Sequence, residues 1–158
     1  MAELMRKILD FHSPSAWYAC DAAILTCFDS RFDAICLELL QRLNIARPDT
    51  IKVAGGAKTL ASPEEEFHRA FVVDQIHKSI RLHGTGRLIL TLHSDCGAYG
   101  RLSGGFRGDA QAEMAHYCAE FERSKEFLRG TFPKLQVDCF VLGFDGVWAS
   151  DASSIMAS

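Results

Sequence analysis

Arg87-Leu88-Ile89-Leu90-Thr91-Leu92-His93-Ser94-Asp95-Cys96-Gly97 is the stretch on which the fold turns. Its apolar run is too short for a lone helix, is rich in Leu and Ile, and follows a glycine turn at Gly84-Thr85-Gly86. Together these features predict a buried β-strand. The run stops abruptly at His-x-x-Cys-Gly, so the strand delivers two metal-type ligands to its own carboxyl end. In open α/β sheets the crevice beyond the carboxyl ends of the strands is where ligands bind. A second stretch has the same form: Ala22-Ala23-Ile24-Leu25-Thr26 runs into Cys27-Phe28-Asp29-Ser30-Arg31. Two strands therefore end in reactive side chains.

Working outward, Asp33 opens a helical pattern in which Ile35, Leu37, Leu39, Leu40 and Leu43 are apolar. Thr50 to Ala54 reads as a short strand stopped by Gly55-Gly56, where the backbone can take positive φ or approach a ligand closely. Ser62-Pro63-Glu64-Glu65 reads as a capping box, with Phe67, Phe71, Val72, Ile76 and Ile80 behind it at helical spacing and Gly84 as the stop. Past the opening stretch, Gly97 to Gly108 is a loop rich in glycine and arginine. A long helix from about Asp109 to Leu128 follows, with Asp109 as its cap. Val137 to Leu142 is a further strand closed by Gly143, and the small, polar tail at 149–158 is expected to be loosely held. At the other end, Leu4, Ile8, Leu9 and Phe11 predict a short amphipathic helix ending before Ser13-Pro14-Ser15, which makes residues 1–20 a helical arm. Its apolar stripe needs a neighbour, in the same domain or in a second subunit. There is no internal repeat and no linker, so residues 1–158 are expected to form a single domain. Strands alternating with helices predict an α/β fold with a mainly parallel central sheet flanked by helices, because parallel strands need crossovers.

Composition narrows the partners. The 158 residues are 48% hydrophobic and 23% charged, enough for one domain with a real core. A formal net charge of −3 and a pI near 6.0 provide no basic footprint for nucleic acid. Met1 to His12 mixes Glu3, Arg6, Lys7 and Asp10 with its apolar residues and is not read as a signal peptide, and no run approaches a membrane span. The six cysteines, at 20, 27, 36, 96, 118 and 139, have no small-scaffold spacing, which favours reduced thiols in a cytoplasmic setting.

Cys27, His93 and Cys96 supply two thiolates and an imidazole, a donor set that suits zinc and leaves a fourth position open, as in catalytic sites. Asp29 can accept a hydrogen bond from a zinc-bound hydroxide or swing in as the fourth ligand. Arg31 decides between them, since a guanidinium two residues away can hold that carboxylate in a forked pair off the metal. Cys20, Cys36, Cys118 and Cys139 read as small hydrophobes, and His12, His68, His77, His83 and His116 as surface or helix-face residues. Arg101 and Arg107 read as loop charges that could also favour an anion.

These stretches resemble the β-class carbonic anhydrases. Cys27-Phe28-Asp29-Ser30-Arg31 is similar to that family's Cys-x-Asp-x-Arg, and His93-Ser94-Asp95-Cys96-Gly97 to its His-x-x-Cys-Gly. Lys52-Val53-Ala54-Gly55-Gly56 and Phe140-Val141-Leu142-Gly143 are similar to its middle turn and last central strand, with Val53 where the family usually has asparagine. The resemblance implies zinc on Cys27, His93 and Cys96, a catalytic dyad of Asp29 and Arg31, and a pocket shaped by Gly55 and Gly97. It also implies at least a homodimer and the reversible hydration of carbon dioxide to bicarbonate by a zinc-bound hydroxide. Three other readings compete: a degenerate or non-enzymatic zinc protein, a zinc hydrolase of carbonyl sulfide or carbon disulfide, and a sulfurtransferase using Cys96 with Arg101.

Overall fold

Five strands form one sheet in the order β2-β1-β3-β4-β5: Ala22–Thr26 (β1), Pro48–Lys52 (β2), Arg87–His93 (β3), Gln136–Leu142 (β4) and Val147–Ala149 (β5). The computed structural model describes residues 5–100 and 105–151. The first four strands are mutually parallel, and only β5 runs antiparallel, against β4. The helices are Asp33–Arg42 (α1), Lys58–Ala61 (α2), Glu66–His83 (α3) and Ala110–Thr131 (α4). Buried on both faces, β1 and β3 read as nearly continuous apolar runs, the usual signature of central parallel strands.

The period of two along each strand sorts the core into two layers. Ala23, Leu25, Leu88, Leu90, Leu92 and Val141 face Leu60 of α2, Val72 and Ile76 of α3, and Tyr117, Phe121 and Leu128 of α4. Ala22, Ile24, Ile89, Phe140 and Leu142 face Leu39 and Leu40 of α1 with Phe32 and Ile45. Each fully buried Leu or Ile in these layers contributes roughly 1.5–3 kcal/mol.

Three expectations are corrected. Among residues 5–20 no helix forms, and Met5, Ile8, Leu9 and Phe11 are 72–88% exposed. A helix this short is marginal without a surface to pack on, and the stripe finds none among the described residues; Leu4 lies outside them. The capping box does not form either. Ser62 closes α2 instead, its hydroxyl donating to Glu120 Oε2 at 2.5 Å, and α3 begins at Glu66. Buried Glu120 needs hydrogen-bond donors, and that demand outweighs the local cap preference of Ser62. Lastly, Ala149, expected to open the tail, belongs to the strand β5, paired with Phe140 to Leu142; residues 152–158 lie outside the described residues. Asp109 does cap α4, accepting from the Ala112 N–H at 2.9 Å, and Gly84 ends α3 with φ +69°.

Candidate metal centre

The chain leaves β1 in two directions. It crosses through α1 to β2 on one side and returns through α2 and α3 to β3 on the other. The carboxyl ends of β1 and β3 thus flank the point where the strand order reverses, where open sheets bind ligands. Cys27 is the first residue past β1, His93 is the last of β3, and Cys96 follows within one tight turn. Their ligand atoms all lie within 4.8 Å of one another. All three side chains are nearly removed from solvent, Cys27 being the most exposed at 9%.

The donor chemistry fits a zinc ion. His93 Nδ1 lies 2.9 Å from the Ser94 carbonyl oxygen and donates to it, which leaves Nε2 with its lone pair. Nε2 is buried and has no hydrogen-bond partner among the described residues. A buried polar atom left unsatisfied costs about 1–3 kcal/mol, and a cation bound between this nitrogen and two sulfurs removes that cost. Phe32 holds the imidazole from one side, with ring centroids 4.3 Å apart. A hydrogen bond from the Cys96 thiol lowers the Cys27 pKa to about 4 against the opposing effect of burial, with His93 and the Gly55 N–H adding to the decrease. The Cys27 sulfur in turn pushes the Cys96 thiol up. Burial opposes charge on His93, yet Cys27, the Ser94 carbonyl and Asp29 outweigh it and raise its pKa above the ordinary value. A metal ion competes with these protons, as expected of a thiolate–imidazole site.

Asp29 stands at the edge of this group, its Oδ2 3.9 Å from His93 Nε2. Arg31 holds it in a fork, with Nε at 3.0 and 3.1 Å from the two carboxylate oxygens and Nη2 at 2.6 Å from Oδ2. These hydrogen bonds hold the Asp29 pKa down at about 2. The guanidinium also donates to Asp95, through Nη1 to Oδ2 at 3.0 Å and Nη2 to the backbone oxygen at 3.2 Å.

A further layer comes from α4. Tyr117, fully buried, donates its hydroxyl to the His93 carbonyl oxygen at 2.7 Å, and the Asp95 N–H donates to Glu113 Oε1 at 2.8 Å. Asp95 sits at φ +56°, a conformation uncommon outside glycine. Asp95, Glu113 and Tyr117 escape a reading of the sequence. The only signal is Asp95 itself between His93 and Cys96, since Glu113 and Tyr117 look like ordinary positions on an amphipathic helix.

Of the glycines expected at the pocket, Gly55 contacts Cys27, its N–H lying 3.4 Å from the sulfur. Among the described residues a Cβ on Gly97 would meet nothing within 4 Å. Gly56 is tightly placed against backbone: at φ +52°, a Cβ there would lie 2.6 Å from the Thr91 carbonyl oxygen and 3.0 Å from the Cys27 nitrogen. Val53 and Ala54 help wall a cavity of about 340 Å³ with Lys58, Phe67, Phe71 and Ala98. A larger cavity of about 720 Å³ opens on the Cys96 side, between Asp95, Arg107, Phe144 and Trp148. A lone nucleophile at Cys96 is disfavoured: its thiol is buried and pushed away from ionisation by Cys27. Arg101, its proposed helper, lies outside the described residues.

An α/β sheet with a Cys–His–Cys centre at its switch point is the class of protein this geometry defines. The family described as "Putative carbonic anhydrase" matches residues 18–143. The chain belongs to that family. An uncharacterized protein of Rickettsia conorii is 25% identical over 126 residues, covering 78% of this chain and 68% of that protein. The carbonic anhydrase of Streptococcus mutans shares the fold at a TM-score of 0.59 and 17% identity, over 90% of this chain and 87% of that one. A β-carbonic anhydrase of Trichomonas vaginalis aligns at a TM-score of 0.54 and 15% identity, over 89% and 87% of the two chains.

Proposed function

We propose that the protein is a zinc-dependent carbonic anhydrase that interconverts carbon dioxide and water with bicarbonate and a proton. The observation that carries this reading is the buried, unpartnered His93 Nε2 within 4.8 Å of two cysteine sulfurs, beside a carboxylate that Arg31 holds 3.9 Å away. Cys27, His93 and Cys96 would hold the zinc, which when bound acts as a Lewis acid and acidifies water.

The remaining work falls to the chain. Two thiolates place negative charge around the ion, so the bound-water pKa is expected above that of a three-histidine site, and activity rises with pH. Asp29, ionised down to about pH 2 under the hold of Arg31, accepts a hydrogen bond from the reacting water at a carboxylate oxygen and orients its lone pair. Oxygen adds to the carbon of carbon dioxide, and one proton passes to solvent. Val53 and Ala54 present an apolar wall near the site, suited to a small uncharged substrate.

The same reading takes the protein as a cytoplasmic homodimer or larger homo-oligomer. Six cysteines without disulfides support the compartment, and the exposed Phe67 and Phe71 support association. Among the described residues no helix is long and apolar enough to cross a membrane.

The test is zinc content together with carbon dioxide hydration, on the wild type and on Asp29→Ala. The wild type is expected to carry about one zinc per chain and to hydrate carbon dioxide faster as pH rises. Asp29→Ala should keep its zinc and lose about 100-fold in kcat, within the usual range for removing a group that handles a proton. Zinc absent from folded protein, or a flat pH–rate profile, overturns the reading. Zinc without hydration leaves the metal site and moves the function to a non-enzymatic zinc protein or to another small electrophile.

A further inference from the structure

We propose that Asp95 is a positioning residue which, through Arg31, keeps Asp29 off the metal position. The inference rests on the zinc reading above. Asp29 and Arg31 belong to one short turn, Arg31 lying in the 3₁₀ segment Ser30–Phe32 that Asp29 caps. A pair joined only within that turn could swing as a unit toward the ligand cluster. Among the described residues, Asp95 is the hydrogen-bonding anchor of Arg31 outside the turn, 64 positions along the chain.

The geometry uses the guanidinium as a rigid bridge. Nε and Nη2 face Asp29, while Nη1 reaches Asp95 Oδ2 at 3.0 Å and Nη2 also reaches the Asp95 carbonyl at 3.2 Å. A planar fork held on two sides has its orientation set. The rings of Phe32 and Phe144, with centroids 5.6 and 5.5 Å from the guanidinium carbon, hold it further. Asp95 is itself immobilised: its N–H is tied to Glu113 on α4, and its backbone occupies the left-handed region at φ +56°. The turn that carries His93 and Cys96 therefore also carries the anchor for the dyad. Assembly of the ligand turn and retention of Asp29 at a distance become one event.

The experiment uses the cobalt(II)-loaded full chain and its visible absorption during titration with thiocyanate, which reports whether the fourth coordination position is exchangeable. Asp95→Gly removes the carboxylate, while glycine adopts the positive φ without strain. Thiocyanate affinity should fall about 10-fold, at the lower end of what removing an outer partner of a metal site usually costs. The double variant Asp95→Gly/Asp29→Ala should recover it, because no carboxylate is left to compete. Asp95→Asn, which also tolerates this backbone and keeps an acceptor oxygen, should show a smaller loss in the same direction and carries the test if the glycine variant does not fold. Equal thiocyanate affinity in wild type and variants overturns the proposal and leaves the zinc reading standing. A loss that Asp29→Ala does not recover also overturns it, since it marks general damage to the site. Failure of the folded wild type to bind cobalt removes the zinc reading and this proposal together.

Discussion

Each end of the sheet gathers a histidine and an aspartate, and the two pairs behave oppositely. At the amino end His83 Nδ1 lies 2.8 Å from Asp49 Oδ2, and Asp49 also accepts from the Tyr18 hydroxyl at 2.7 Å and from Ser79 at 2.6 Å. The His83 ring packs against Trp17 and Tyr18, with centroids 5.2 and 4.2 Å away. At the carboxyl end His93 Nε2 has no hydrogen-bond partner among the described residues, and Asp29 spends its oxygens on Arg31. The same two residue types make a closed knot in one place and an open donor set in the other. Histidine beside aspartate therefore says little; what distinguishes a site is a buried donor or acceptor that the rest of the protein leaves unused. His83, expected as a helix-face residue, belongs to the knot, which fastens residues 17–18 to the end of α3.

The hardest test of this contrast is Cys96→Ser. Zinc affinity should fall by more than about 100-fold, beyond the roughly 10–100-fold typical of outer partners, while the metal-free protein keeps its fold by circular dichroism. Retained zinc would dissolve the distinction between the two ends. Next in size, Asp49→Ala should leave zinc content unchanged but destabilise the protein by about 2–3 kcal/mol in a denaturant titration, since Tyr18, Ser79 and His83 lose their shared acceptor. A variant that lost zinc at equal stability would show the ends to be coupled.

Acid titration gives the smallest and sharpest test. The raised His93 pKa means that protons compete for Nε2 above the ordinary histidine value of about 6.5. In the metal-free protein that group's stabilising contribution is complete below the unfolded value and is lost as pH rises through the folded one. Asp29 has the opposite sense: its contribution is present above the unfolded value of about 3.9 and fades as pH falls toward about 2. Zinc release followed with a chromogenic chelator should therefore be complete before Asp29 titrates. Zinc still held at about pH 2, where Asp29 titrates, would refute the ligand assignment.

The parts of the molecule that were legible in the sequence share a physical cause. β1, observed at Ala22–Thr26 as expected, and β3 are buried on both faces, so their whole apolar run is visible as such. Cys27, Asp29, Arg31, His93 and Cys96 sit where those runs end, which makes them conspicuous. β5 was not legible, because three residues including a half-exposed Trp148 carry no periodicity and are strand only by pairing with β4. The N-terminal stripe showed a helical period without the neighbour that would make a helix form. Ser62 carried a cap signal that buried Glu120 redirected.

The sequence by itself determined the alternation of strands and helices and the placement of Cys27, Asp29, Arg31, His93 and Cys96 at strand ends, because burial and turn chemistry are written locally. Only the tertiary structure decided that β1 and β3 are neighbours and that His93 Nε2 is left without a partner. It alone tied Arg31 to Asp95 and the ligand turn to Glu113 and Tyr117 of α4. Those relations depend on which surfaces meet between residues 18 to 64 positions apart, and side-chain hydrogen bonds over such spans leave no period in the chain.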